Sequence, residues 1–136
     1  MEELYFLAQV VIAAFLGAVI GFQRERSGKA AGPRTYALVT AGATLFTILS
    51  LHGFGPAEGG RIAGNVVVGI GFLGAGLIFH KGNHVENLTT AAGLWTAAAV
   101  GLAVGVRFYI LAVGVTLIML LLLAINDKAF KKKTKG

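Results

Sequence analysis

Residues 61–79, RIAGNVVVGIGFLGAGLIF, form an apolar run long enough to cross a lipid bilayer and uncharged after Arg61. The run holds Gly64, Gly69, Gly71, Gly74 and Gly76. In a water-exposed helix each of these costs about 1 kcal/mol relative to alanine. In a bilayer they serve differently: without a Cβ in the way a neighbouring helix comes close, and packing contacts supply the association that lipid does not drive. The run is therefore read as a transmembrane helix, and as the central one against which the others pack. Gly69, Gly71 and Gly74 also spell GxGxxG, but a dinucleotide site needs a preceding strand, a helix start and an acid about 20 residues on. Here the apolar run continues through Phe79 and the next acid, Glu86, falls too close. The motif is assigned to packing.

The rest of the chain has the same character. Of its 136 residues 56% are hydrophobic and 13% charged, and the mean hydropathy is +0.77, which a soluble domain with a polar surface hardly reaches. One domain is expected, a membrane domain over 1–127 followed by a basic tail over 128–136. The net charge of +6 lies between apolar runs rather than along one face, so it is assigned to topology and no nucleic-acid partner is expected. Without cysteine there is neither disulfide nor thiolate metal site. Glu2 and Glu3 make the N-terminus a poor signal peptide.

Five spans are predicted, at about 4–22, 36–53, 61–79, 91–106 and 108–125, each near the length that a hydrocarbon core of roughly 30 Å requires. Ala13, Gly17 and Gly21 make a small-residue seam on the first, and Gly93, Ala97, Gly101 and Gly105 a second seam on the fourth. The fifth, rich in Leu, Ile and Val, is expected to be the most lipid-exposed. Thr40, Thr44 and Thr47 share one face of the second span; threonines so placed commonly bond back to their own helix. Asn65 is the one strongly polar residue of the third span and is expected to face a partner helix. Thr89 or Thr90 is the expected N-cap of the fourth.

Charge orients the bundle. With five spans and the N-terminus outside, the inner side carries Arg24, Arg26, Lys29, Arg34, Lys81, Lys128, Lys131, Lys132, Lys133 and Lys135, against Arg61 and Arg107 outside. Ten against two satisfies the positive-inside rule, whereas four spans would divide the charges six and six. The C-terminus is thus expected in the cytoplasm.

Catalytic chemistry finds little purchase. No Ser, His and Asp arrangement falls on one surface, and an enzyme is not expected. His80 and His84 lie close to Glu86, but Gly82 and Asn83 interrupt the helical geometry that would make the pair a metal site. All six acids, Glu2, Glu3, Glu25, Glu58, Glu86 and Asp127, fall outside the spans, which argues against a carboxylate-lined ion path within one subunit. The polar candidates left are Thr40, Thr44, Thr47 and Asn65 within the spans and, on the cytoplasmic side, Arg24, Glu25, Arg26, Arg34, Thr35, Thr89 and Thr90. The cytoplasmic set is read either as membrane anchoring with local ion pairs or as a docking site built from Glu25, Arg34, Thr35, Thr89 and Thr90.

The successive stretches GAVIGFQRERSGKAAGPRTYALVTAGATLFTILS and GIGFLGAGLIFHKGNHVENLTTAAGLWTAAAVGLAVG resemble the transmembrane domain of the MgtC/SapB family, over about 14–111. The resemblance implies a multi-pass protein of the bacterial inner membrane, linked to magnesium homeostasis and intracellular survival, that regulates other membrane machinery such as ATP synthase. It carries over Arg24, Glu25, Arg26, Gly28, Arg34, Thr35, Gly69, Gly71, Gly74, Gly76, Thr89, Thr90 and Trp95. Two departures stand out: many members add an ACT-like cytoplasmic domain beyond the membrane part, and Asn87 replaces the glycine that commonly precedes Leu-Thr-Thr. The leading expectation is an all-α, five-helix membrane protein without cofactor that binds other membrane components and pairs as a homodimer through one of its small-residue seams. The alternative is a channel or transporter with a path lined by Thr and Asn at a subunit interface.

Overall fold

The computed structural model describes the backbone of residues 1–133 and the side chains of residues 1–125; the remainder of the lysine tail lies outside the described residues. Five helices follow in order: α1 Glu2–Arg26, α2 Pro33–His52, α3 Gly59–Leu77, α4 Leu88–Gly105 and α5 Tyr109–Lys133. Four are long and apolar enough to cross a membrane, and the apolar part of the fifth, Tyr109–Ile125, is shorter. A 3-10 turn, Pro56–Glu58, precedes α3, and an antiparallel hairpin, β1 Phe79–Lys81 with β2 His84–Glu86, links α3 to α4.

Local chemistry sets the helix ends. α1 begins with Glu2 and Glu3 and ends with Arg24 and Arg26, charges that complement its dipole at both ends. It runs through Arg26, so Gln23 to Arg26 are helical rather than loop. α2 starts at Pro33 behind Gly32, the position where a missing N–H costs nothing. The expected cap at Thr89 or Thr90 is corrected: α4 begins after Asn87, whose φ of 63° is left-handed. Glycine and asparagine tolerate that backbone, so asparagine stands here without strain. Its Nδ2 donates to the Leu77 carbonyl at 3.0 Å, satisfying the last residue of α3.

Contacts along the helices show that neighbours in sequence run antiparallel. Gly17 meets Tyr36 and Thr40, whereas Gly21 meets Gly32 and Pro33, so α2 descends along α1. Gly74 near the end of α3 meets Ala91 near the start of α4. Gln9 reaches Val104 while Arg24 reaches Thr90, so α4 also opposes α1. Tyr5 and Tyr109 pair at the starts of α1 and α5, which are parallel.

The centre of the bundle is α4. It packs against all four other helices and buries residues around most of its circumference, from Thr90 to Gly105. α3, expected to be central, instead lies at the edge and buries only Ile70 and Gly74. The glycines divide accordingly. A Cβ at Gly17, Gly21 or Gly101 would collide with backbone across the helix interface, and one at Gly105 would stand 2.6 Å from Thr47 Cβ. At Gly74 a Cβ would make an ordinary contact with Ala91; at Gly64, Gly69, Gly71 and Gly76 it would meet open space. Glycine permits a close approach but does not select the partner: the Ala, Gly and Thr faces of α4 and α2 fit each other, whereas α3 turns Val67, Val68, Phe72 and Leu73 outward. α5 buries Ala112, Thr116, Met119 and Leu123, more than α3, so α3 rather than α5 is the less enclosed helix.

Candidate functional site

The end of α1 and the start of α4 enclose a buried cation. Arg24 is 1% exposed, and its Nη2 donates to the Thr90 hydroxyl, itself 1% exposed, at 3.1 Å. The buried face of α1 runs Gln9, Ala13, Leu16, Gly17, Ile20, Gly21, Arg24, a helical stripe that ends on the arginine. Tyr36 fills the space beside it from α2; its ring is fully buried and its hydroxyl adjoins the Arg24 guanidinium. That ring fits because residue 93 has no side chain: a Cβ there would stand 2.7 Å from the Tyr36 hydroxyl. An ionisable group turned into a membrane bundle is a functional candidate by default, because its desolvation must be compensated by specific partners.

Around this pocket the other candidates separate. Glu25 is exposed and lies over Gly32 in the α1–α2 turn. Arg26 is exposed, its guanidinium 5.8 Å from the Phe22 ring centre. Arg34, Thr35 and Thr89 sit at the same end of the bundle, exposed, and their side chains make no hydrogen bond among the described residues. The structure thus brings Thr90 together with Arg24 but leaves Glu25, Arg34, Thr35 and Thr89 on the surface around them. Trp95 is 55% exposed on the outer side of α4.

The hydroxyl row on α2 is internal. Thr40 donates to the Ala13 carbonyl of α1 at 2.6 Å and Thr44 to the Gly101 carbonyl of α4 at 2.7 Å, while Thr47 bonds back to Ala43 at 2.7 Å. These three are 0%, 0% and 3% exposed within a single chain. The expectation that they line a path between subunits is therefore corrected: two of them join α2 to its neighbours, and only Asn65 of that set faces outward.

At the opposite end, Gln9 is 1% exposed and its Nε2 donates to Val104 O at 2.8 Å, a carbonyl of the last turn of α4 that also accepts from the Arg107 N–H. Tyr5 and Tyr109 share a 2.6 Å hydrogen bond, with the Arg107 guanidinium 4.9 Å from the Tyr5 ring centre. Sequence reasoning missed Gln9 and Tyr36. Gln9 is the only amide within residues 4–22, and that isolation is the signal. In the hairpin, His80 pairs with Val85 and Lys81 with His84, so the two histidines stand on opposite faces. No group of three His, Asp or Glu among the described residues is placed to hold a metal.

An apolar helical bundle whose polar side chains turn inward onto backbone carbonyls defines a helical membrane protein. The chain belongs to the MgtC family, whose sequence pattern matches residues 10–132. It is 37% identical over 140 residues to the putative magnesium transporter YhiD of Escherichia coli K12, covering 96% of this chain and 65% of that protein. It is 44% identical over 115 residues to the protein MgtC of Salmonella typhimurium LT2, covering 85% of this chain and 49% of the relative. With the Brucella abortus protein MgtC it shares 47% identity over 93 residues, 68% of this chain and 39% of the relative. The chain thus spans less than two thirds of the length of each of these relatives. No solved structure matches it.

Proposed function

We propose that this chain is a five-span domain of the bacterial inner membrane that acts in magnesium homeostasis by binding other membrane machinery, without catalysing a reaction. The observation that carries this reading is the use of the interior hydroxyls: Thr40 and Thr44 bond carbonyls of α1 and α4, which closes the bundle instead of leaving polar groups to replace the water of an ion. The antiparallel order of the helices supports five crossings. It gathers Arg24, Arg26, Lys29, Arg34 and Lys81 at one end and leaves Arg61 and Arg107 at the other, so the positive-inside rule assigns the first end to the cytoplasm. The name of the Escherichia coli relative, a putative magnesium transporter, supports the magnesium link. The resemblance adds ATP synthase as a candidate partner, and a homodimer remains part of the proposal.

Growth in magnesium-limited medium of cells lacking their own family member tests this role. Rescue by the wild-type chain, and by Thr44→Ser, is expected, with rescue lost in Arg24→Gln at equal membrane abundance. Failure of the wild-type chain to rescue, despite correct insertion, contradicts the assignment.

A further inference from the structure

The side of the bundle between α2 and α3 carries a groove of about 450 Å³ that no helix of this chain fills. That volume lies within the range of roughly 300–1,000 Å³ typical of small-ligand sites. Asn65, Gly69 and Leu73 line it from α3, and Leu38, Gly42 and Phe46 from α2. Each set is spaced by four residues, so the groove runs lengthwise along both helices. Arg61 stands one turn above Asn65 on the same row and is exposed; its Nη1 lies 3.3 Å from Glu58 Oε2, which occupies part of a guanidinium with five donors. Along one row of α3 the sequence therefore presents a cation, then an amide, then the gap over Gly69, then Leu73.

We infer that this row binds a phospholipid from the leaflet on the Arg61 side, with its phosphate at Arg61, an ester carbonyl at Asn65 and one acyl chain in the groove. Three observations argue for an amphiphile over other occupants. The exposed side chain of Asn65 makes no hydrogen bond among the described residues, so a bare hydrocarbon chain would leave an amide unsatisfied in lipid, which costs free energy. One helical turn, about 5.4 Å, separates the levels of the cation and the amide, comparable to the offset between a lipid phosphate and its glycerol esters. The absence of a Cβ at Gly69 keeps the groove open just below the amide, and a side chain there would reach into the chain's path. A net anionic headgroup gains most from the cation, so phosphatidylglycerol is favoured over phosphatidylcholine.

The full chain in nanodiscs of equal phosphatidylglycerol and phosphatidylcholine, doped with either lipid carrying a photoreactive group midway along one acyl chain, tests the proposal. Label is expected on residues 62–73 and 38–46, with more from phosphatidylglycerol. Asn65→Leu is expected to lower it about threefold or more, the effect of one lost hydrogen bond. Gly69→Leu is expected to remove it, and Arg61→Gln to equalise the two lipids. Gly71→Leu, at a glycine that also faces open space but does not line the groove, serves as the control for folding and keeps the label. Label spread evenly over the exposed faces of α1 and α5, or unchanged in both Asn65→Leu and Gly69→Leu, overturns the site. Quantitative disulfide formation between two Gly69→Cys chains in the same nanodiscs overturns it as well, because a second copy then fills the groove.

Discussion

The hydroxyl of Tyr36 occupies the space that a side chain at Gly93 would take: a Cβ there would stand 2.7 Å from the phenolic oxygen and 3.7 and 3.8 Å from the ring carbons behind it. One atom, the phenolic oxygen, sets the tolerance of the α2–α4 interface at this level. Gly93→Ala is expected to destabilise the protein by about 1–3 kcal/mol, as overpacking of a closed core does. Tyr36→Phe alone is expected to cost less, since it removes only the contact of the hydroxyl with Arg24. The double variant Tyr36→Phe with Gly93→Ala recovers most of the loss. Thermal unfolding of the four proteins in mild detergent closes the cycle, and additive losses would show that the contact is not the cause.

The pair Arg24 and Thr90 is buried, whereas its neighbours Glu25, Arg34, Thr35 and Thr89 are exposed. Thr90→Val removes the acceptor at 3.1 Å from Nη2 and is expected to cost about 1–3 kcal/mol, the loss for a hydrogen bond to a charged group. Thr89→Val, one residue away and exposed, is expected to leave the melting temperature unchanged. Equal effects at the two positions would place the arginine elsewhere.

Asn87 joins two requirements, a left-handed backbone and a hydrogen bond to Leu77 O. Asn87→Gly keeps the first and loses the second, for an expected cost of about 1 kcal/mol. Asn87→Val loses both and is expected to cost more, because a β-branched residue is a genuine outlier at positive φ. Hydrogen exchange at the junction of α3 and α4 reads the difference, with faster exchange expected in the order wild type, Gly, Val.

The glycines of α3 behave oppositely to those of α4. Gly71→Ala is expected to stabilise the monomer by about 0.5–1 kcal/mol, because the added methyl meets nothing and glycine is the poorer helix former. Gly101→Ala is expected to disrupt the fold, since its Cβ would stand 2.7 Å from Ala43 Cβ and collide with the Thr40 carbonyl. A monomer destabilised by Gly71→Ala would mean that α3 is packed within one chain after all.

The helical, membrane-embedded character of the chain is legible from residues 61–79 alone, and the seams at Gly17 and Gly21 and at Gly93, Gly101 and Gly105 are legible from their four-residue spacing. The order of the helices in space is not. A glycine states that a backbone can approach, and the identity of the approaching backbone depends on residues such as Tyr36 and Ala43 that carry no distinctive signal of their own. Arg24 is legible as a candidate from its place beside an apolar run, whereas its burial depends on Tyr36 and Gly93, which are 57 residues apart in sequence and meet only in the folded bundle. Asn65 stands out in the sequence as the lone amide of its span, and it does face outward.

The central claim is that the interior hydroxyls close the bundle and leave its outer surfaces to act. Flux measured from liposomes containing the purified chain tests it most directly, with fluorescent reporters for magnesium, potassium and protons. Rates equal to those of empty liposomes, for wild type and Thr44→Val alike, are predicted. Selective magnesium flux that Thr44→Val abolishes would contradict it.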